Sequence, residues 1–182
     1  MSRIRVIYGS STGNGFRVAQ MICGELSDLV DSVQSVAYAK PSDLAEAEAL
    51  ILGVSTWGAG ELQQDWKRFF PDLDEIDLTG KTVALYGLGD AQGYSGEFVT
   101  ALGTLYRKVR ERGANVVGFW PTEEYQFYRS TAIENGMFVG LVLDQENEPG
   151  RTKDRVKRWT AQIRQHFENG TQEETAATIT AG

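Results

Sequence analysis

The chain is poor in the residues that build several common kinds of site. Its 182 residues include one cysteine, Cys23, and one histidine, His166. An internal disulfide is therefore impossible, and neither a histidine-rich metal site nor a Ser-His-Asp triad is expected. No apolar run approaches the ~18 residues of a membrane-spanning helix. These absences favour a protein of a reducing compartment that has no membrane partner.

Positive charge is also scarce. The formal net charge is -7, from 25 Asp and Glu against 18 Lys and Arg. This balance disfavours nucleic acid, whose phosphates are bound by Lys and Arg, and suits a protein that is steered toward a basic partner. The first residues enter a strand pattern at once, which leaves no room for a signal peptide. We therefore expect a cytoplasmic protein.

The sequence is rich in short apolar segments that alternate with amphipathic ones. The nearly continuous apolar run Ala49–Val54 is typical of a parallel strand that is covered on both faces. We predict strands at residues 3–8, 32–37, 49–54, 81–87, 115–120 and 138–143. Apolar spacing predicts helices around residues 18–26, 65–73, 98–109 and 156–167. This order indicates a doubly wound parallel α/β sheet with helices on both faces, a three-layer α/β/α architecture.

One domain is expected over residues 1–168, followed by a polar tail at 169–182 that is expected to be disordered. Residues 121–137 lie between two apolar strand pieces and have the character of an insertion that splits the fifth strand. Ligands of doubly wound sheets bind beyond the carboxyl ends of the strands. The loops after the first, third and fourth strands are therefore the candidate functional loops.

The loop after the first strand, residues 9–15, reads Gly-Ser-Ser-Thr-Gly-Asn-Gly. Small residues let successive backbone N–H groups converge, the hydroxyls add donors, and the following helix N-terminus favours an anion. A P-loop is excluded because no lysine follows Gly15, and the dinucleotide fingerprint is absent. The loop predicts a site for one terminal phosphate. The alternative is an ordinary turn in which Ser or Thr caps the helix.

Two glycine-rich loops each carry one large aromatic residue. Trp57 lies in the loop after the third strand, and Tyr94 in the loop after the fourth. Both loops are expected at the same edge of the sheet as the phosphate loop, so a planar ring would be sandwiched between the two side chains. The alternative is that each aromatic packs on the protein as a loop anchor.

Together the three loops resemble those of the long-chain flavodoxins. The resemblance extends from Ile4 to about Phe167. It rests on Gly-Ser-Ser-Thr-Gly at 9–13, Thr-Trp-Gly at 56–58, Gly-Leu-Gly-Asp-Ala-Gln-Gly-Tyr at 87–94 and Phe-Val-Gly-Leu-Val-Leu-Asp at 138–144. Long-chain members carry an insertion in the fifth strand, as expected at 121–137. The resemblance implies a flavodoxin-like sheet of five parallel strands in the order 2-1-3-4-5.

The resemblance also implies a non-covalent FMN site. The first loop would bind the phosphate, Trp57 and Tyr94 would flank the ring, Asp90 would lie by its pyrimidine edge and Asp144 near the ribityl chain. The implied cofactor-binding residues are Ser10, Ser11, Thr12, Gly13, Asn14, Gly15, Ser55, Thr56, Trp57, Gly58, Ala59, Gly60, Gly89, Asp90, Tyr94 and Asp144. No catalytic or metal-ligating residue is implied. Gly15 departs from the family, which usually has a hydroxyl residue there, so the phosphate loses one side-chain donor.

As a family member, the chain would be a monomeric, low-potential one-electron carrier rather than an enzyme. It would pass electrons from a reductase of the ferredoxin/flavodoxin-NADP type to nitrogenase, in nitrogen fixation, or to another low-potential acceptor. Glu61, Asp65 and Asp90 would oppose added negative charge on the flavin.

Two other functions fit a similar topology. A flavin-dependent quinone or nitro reductase would need a pocket for a second substrate beside the flavin, and Trp57 and Tyr94 leave little room for one. A signalling receiver domain needs an Asp at the end of the third strand and an acidic pair after the first. This chain has Ser55 at the first position and Ser10 and Ser11 at the second, so the receiver domain is rejected.

Overall fold

The computed structural model describes residues 2–169, so the predicted disorder of 170–182 lies outside the described residues. The strands are β1 (Ile4–Tyr8), β2 (Val30–Ser35), β3 (Ala49–Trp57), β4 (Glu61–Leu62), β5 (Thr82–Leu88), β6 (Asn115–Val117), β7 (Trp120–Pro121), β8 (Ile133–Glu134), β9 (Met137–Phe138) and β10 (Leu141–Leu143). The helices are α1 (Asn14–Glu25), α2 (Pro41–Ala45), α3 (Gln64–Phe69), α4 (Thr100–Glu111) and α5 (Thr152–Glu168).

The main sheet has the order β2-β1-β3-β5-β10, and all of these pairs are parallel. Strand β6 also pairs with β5, at Thr82–Ala84, whereas β10 pairs with it at Tyr86–Leu88. The two short strands thus share the fifth position of the sheet. The predicted order 2-1-3-4-5 is confirmed, and so is the insertion that splits the fifth strand.

The insertion, residues 121–137, folds with its flanking residues into a small antiparallel sheet of β7, β9 and β8. Its aromatic residues pack against the main domain. The ring of Phe98 lies 6.1 Å from that of Tyr125, 5.3 Å from Phe127 and 6.0 Å from Phe138. Because Phe98 follows directly on the loop that carries Tyr94, the insertion is joined to one of the candidate functional loops.

Several element boundaries differ from the sequence prediction: the predicted strand 138–143 is divided between β9 and β10, and the short helix α2 was not predicted. Strand β2 ends at Ser35 because the Ser35 hydroxyl accepts the Ala37 N–H and starts a 3₁₀ turn. Helix α3 ends at Phe69 and continues as a 3₁₀ segment that contains a proline. Phe98 lies outside α4, because Val99 at its N-cap has φ +50°.

Three tryptophans occupy core positions. Trp66, Trp120 and Trp159 are buried, and each indole N–H donates to an oxygen at 2.7–2.8 Å. Burial raises the pKa of the Cys23 thiol on α1 to about 11, so the thiol is protonated at neutral pH. Within residues 2–169, no helix combines the length and the apolar character that crossing a bilayer requires.

Replacing Gly140 with alanine is expected to lower the free energy of unfolding by about 2–3 kcal/mol. Gly140 lies between β9 and β10, and an added Cβ would stand 2.3 Å from the carbonyl oxygen of Leu85, a backbone atom of the central sheet. Urea denaturation of the apoprotein measures the change. The matched control is Gly24→Ala in α1, where an added Cβ would meet no described atom within 4 Å. That variant should gain up to about 1 kcal/mol, and equal losses in both variants would contradict the packing argument.

Candidate functional site

The candidate site lies where the carboxyl ends of β1, β3 and β5 meet. Tyr8 is level with Gly53, and Gly53 with Tyr86, so the three following loops start side by side. A cleft of about 300 Å³ opens there. Its lining residues are Ser11, Thr12, Asn14, Ser55, Thr56, Trp57, Gly58, Leu88, Gly89, Asp90, Tyr94, Gln145 and Glu146.

Most of the residues implied by the resemblance meet at this cleft. The implied residues that line it are Ser11, Thr12, Asn14, Ser55, Thr56, Trp57, Gly58, Gly89, Asp90 and Tyr94. Ser10, Gly13, Gly15, Ala59, Gly60 and Asp144 are not among the described lining residues. The structure adds Leu88, Gln145 and Glu146, which the sequence prediction missed. Direct binding of a cofactor by each implied residue stays a prediction.

The start of α1 provides free N–H donors beside the cleft. Gly13 is the N-cap residue and has φ +89°, a left-handed conformation that glycine adopts readily. Among the described residues, no side chain caps the first turn of α1. The alternative of an ordinary turn capped by Ser or Thr is therefore wrong. The uncapped N–H groups and the helix dipole together favour an anion at this position.

Ser10 lies against this same helix turn. Its Oγ is buried and has no hydrogen-bond partner within residues 2–169. An added Cβ on Gly15 would lie 3.4 Å from that Oγ and 2.6 Å from the carbonyl oxygen of Gly9. Glycine at position 15 thus allows α1 to approach the loop closely. A buried hydroxyl without a partner is costly, and a phosphate oxygen at the helix end would accept its hydrogen.

Two side chains from distant positions in the sequence hold the loop of residues 9–15 in place. The Tyr86 hydroxyl on β5 donates to the carbonyl oxygen of Gly15 at 3.0 Å. The buried Gln63 amide donates to Ser11 Oγ at 3.0 Å, while its oxygen accepts the N–H groups of Asp65 and Trp66 at the start of α3. Because Ser11 accepts from Gln63, its own hydroxyl hydrogen remains available to a ligand. The sequence prediction missed Gln63, which follows Leu62 without a motif of its own.

Trp57 stands at the end of a tight hairpin. Strand β3 turns back into β4 through residues 58–60, and Trp57 pairs with Glu61. Gly58 and Gly60 have φ +48° and +93°, conformations that the turn requires and glycine tolerates. The Thr56 hydroxyl accepts the Ala101 N–H near the start of α4 at 3.0 Å, which ties the hairpin to that helix.

Trp57 and Tyr94 both present large apolar surface to the cleft. Their side chains are 44% and 51% exposed, respectively. Neither makes an aromatic contact with another ring in the described part of the chain. The alternative that each ring is an anchor packed on the protein is therefore not favoured. Exposed rings at a concave site are suited to stacking on a planar ligand.

Asp90 closes the cleft on the side of Tyr94. Its carboxylate accepts the N–H groups of Gly93 at 2.7 Å and Gln92 at 3.1 Å and the Asn147 amide at 2.9 Å. The Gly93 bond, followed by the Asn147 bond, lowers the pKa of Asp90 below its ordinary value against a smaller opposing effect of burial. Asp90 is therefore ionised at neutral pH.

The other carboxylates lie differently from the expectation. Glu61 and Asp65 are not among the described lining residues, and they pair with Lys67 at 3.6 Å and Arg68 at 3.0 Å. Their ion pairs and their position off the cleft wall reduce the support for the expectation that they oppose charge on the ring, which stays a prediction. Asp90 lines the cleft together with Glu146, and its effect on a charged ring stays a prediction. Over residues 2–169, no cluster of three or more His, Cys, Asp or Glu side chains is arranged to hold a metal ion.

Comparison with known proteins identifies the architecture. The flavodoxin family model matches residues 6–159. A flavodoxin of Nostoc sp. is 42% identical over 165 residues, covering 91% of this chain and 97% of the relative. Flavodoxin 1 of Escherichia coli is 43% identical over 159 residues, covering 87% of this chain and 90% of the relative.

Solved structures agree with these relatives. Fusobacterium nucleatum flavodoxin bound to flavin mononucleotide superposes with a TM-score of 0.87 at 33% identity, covering 92% of this chain and 99% of that one. Oxidised Flavodoxin 1 from Bacillus cereus gives a TM-score of 0.70 at 27% identity, covering 91% of this chain and 99% of that one. The chain therefore belongs to the flavodoxin family, and its split fifth strand and homologues of about the same length place it with the long-chain members.

Proposed function

We propose that residues 1–168 form one domain that binds a single FMN non-covalently in the cleft and carries single electrons between cytoplasmic proteins. Flavodoxins are electron-transfer proteins rather than enzymes. The observation that carries the proposal is the meeting of an uncapped helix N-terminus, a buried unpartnered hydroxyl and two exposed aromatic rings at one sheet edge. Flavin mononucleotide is the ligand in the similar Fusobacterium nucleatum structure.

The residues present fit both ends of FMN. Ser10 Oγ and the first-turn N–H groups of α1 supply neutral donors for a phosphate. Trp57 and Tyr94 would cover the ring faces and exclude water from them, and Thr56 and Ser55 line the same cleft. FMN, when bound, supplies the redox chemistry itself.

The charges of the site favour a low potential. Asp90 is ionised, and Glu146 adds a second carboxylate at the cleft wall. Both would oppose the addition of negative charge to a ring between Trp57 and Tyr94, as would the phosphate. The flavin would consequently give up its last electron readily, which is the property of a strong reductant.

The partners proposed for this carrier are redox proteins with a basic docking face. The net charge of -7 supports electrostatic steering toward such a face. The proposed donor is a reductase of the ferredoxin/flavodoxin-NADP type, and nitrogenase is one proposed low-potential acceptor. Redox encounters of this kind are small and transient, so the carrier is proposed to act as a monomer in the cytoplasm.

Stepwise anaerobic reduction of the FMN-loaded protein tests the proposal. We expect two resolved one-electron steps, with a flavin radical that is detected by long-wavelength absorbance and by electron paramagnetic resonance between them. NADPH added without a reductase should remain unoxidised. A single two-electron step without a radical, or steady NADPH oxidation by the protein alone, would instead favour the quinone or nitro reductase.

A further inference from the structure

We propose that Asn147 is a positioning residue of the flavin site, whose side-chain amide joins the loop of Asp90 to the loop of Asp144 and thereby sets the position of Tyr94. This inference rests on the proposed FMN function. Asn147 was not among the residues implied by the sequence, and it is hydrogen-bonded to Asp90 of the cleft wall without being among the described lining residues.

The amide of Asn147 lies between two carboxylates. Its Nδ2 donates to Asp90 Oδ1 at 2.9 Å and to Asp144 Oδ2 at 2.7 Å. An amide nitrogen carries two hydrogens, and an ionised carboxylate only accepts, so both hydrogens are used. The opposite orientation would place the amide oxygen against both carboxylates. The geometry therefore requires a neutral double donor at this position, and asparagine provides one.

The burial of Asp144 makes its contact with Asn147 energetically important. It is 1% exposed and makes no described salt bridge. Its carboxylate accepts the Ala91 N–H at 3.0 Å and the backbone and side-chain N–H groups of Asn147. A buried carboxylate that loses a donor is costly. Since Ala91 follows Asp90, Asp144 and Asn147 together hold the first half of the Tyr94 loop.

The backbone turn from Asp90 to Tyr94 couples the position of the Asp90 side chain to that of Tyr94. The Tyr94 N–H donates to the Asp90 carbonyl at 3.0 Å, and the Asp90 carboxylate caps the N–H groups between them. The turn therefore moves as a unit with the Asp90 side chain. Fixing that side chain through Asn147 fixes the direction in which Tyr94 leaves the turn.

The loop of Asn147 is itself anchored to helix α5. The Glu148 N–H donates to the Asp144 carbonyl at 2.9 Å, and its carboxylate accepts from Arg155 at 2.9 Å. Arg155 is buried and lies 4.2 Å over the ring of Tyr125 in the insertion. Asn147 thus connects the loop of Tyr94 to helix α5.

Two near-isosteric variants test the inference, Asn147→Asp and Asn147→Leu. Each removes the double donor, and the aspartate adds a negative charge. The charged groups around position 147 are Asp90, Asp144, Glu146, Glu148 and Arg155. We expect both variants to raise the dissociation constant for FMN at pH 7 about tenfold or more, the equivalent of losing one charge-assisted hydrogen bond.

The pH dependence of FMN affinity distinguishes the loss of the Asn147 contacts from a general disruption of the fold. The FMN affinity of each variant is expressed as a ratio to wild type at the same pH, which removes the titration of the phosphate. The loss in Asn147→Asp should shrink between pH 7 and pH 5, because the adjacent carboxylates of Asp90 and Asp144 raise the pKa of the introduced carboxyl into this range, where protonation removes the added charge and restores one donor. The loss in Asn147→Leu should stay constant. Asn115→Asp, which adds the same charge at the opposite end of the sheet, should match wild type.

Hydrogen exchange of the apoprotein provides a readout without flavin. Residues 90–97 should exchange faster in both variants, while the central strands remain protected. Unchanged exchange in this loop together with wild-type FMN affinity would overturn the inference, and so would a loss in Asn147→Asp that does not vary with pH. If wild-type protein itself fails to bind FMN, the proposed function fails, and the exchange measurement still decides the role of Asn147.

Discussion

Replacement of Trp57 with alanine is expected to weaken FMN binding about 100-fold, which corresponds to about 2.7 kcal/mol. Stacking on a flavin contributes about 0.5–1.5 kcal/mol beyond burial, and covering the exposed part of an indole contributes the remainder. The side chain is 44% exposed and supports no described core contact, so the loss should fall on binding rather than on folding.

Titration of apoprotein with FMN, followed by flavin fluorescence, measures this effect. Trp57→Phe keeps a stacking surface and should lose much less affinity. Tyr38→Ala is the control, because Tyr38 is also aromatic, is 84% exposed and is not among the described lining residues of the cleft. The affinity of the Tyr38→Ala variant for FMN should match that of wild type. Retention of wild-type affinity in Trp57→Ala would show that the ring does not lie against this face.

Replacement of Ser10 with alanine is expected to act in opposite directions on binding and on stability. The hydroxyl is buried without a partner in the described protein, so its removal should leave the apoprotein as stable as before or more stable by up to about 1 kcal/mol. The phosphate loses a donor, so FMN binding should weaken about tenfold. This substitution therefore separates the affinity for FMN from the stability of the apoprotein.

Riboflavin, which lacks the phosphate, provides the test of mechanism. Wild type should bind it about 1000-fold more weakly than FMN, since several charge-assisted hydrogen bonds and the α1 dipole are lost. Ser10→Ala should leave riboflavin affinity unchanged. Ser42→Ala, a change in α2 far from the loop, serves as the control for FMN. Equal affinity of wild type for FMN and riboflavin would contradict a phosphate site at α1.

The parts of the site that sequence reasoning predicted are those whose backbone geometry dictates the residue type. A left-handed N-cap favours a residue such as Gly13, and this three-residue hairpin turn favours residues such as Gly58 and Gly60. The doubly wound parallel sheet followed from the alternation of apolar runs with amphipathic ones, and its strand order followed from the resemblance to the flavodoxins. These signals lie in short stretches of sequence, so they can be recognised before the fold is known.

The parts that sequence reasoning missed depend on contacts between distant segments. Gln63 reaches Ser11 across 52 positions and Asn147 reaches Asp90 across 57, and neither lies in a motif. Val99 adopts φ +50°, a conformation that a β-branched residue rarely takes and no propensity predicts. Glu61 and Asp65 have the charge expected at the site but pair with neighbouring cations instead.

The central claim is that three neighbouring loops close around one phosphorylated flavin. Incubation of the apoprotein with excess FMN, followed by desalting and measurement of flavin absorbance per protein, tests it most directly. The account predicts a yellow protein that retains one FMN per chain. A colourless protein after desalting would contradict the claim.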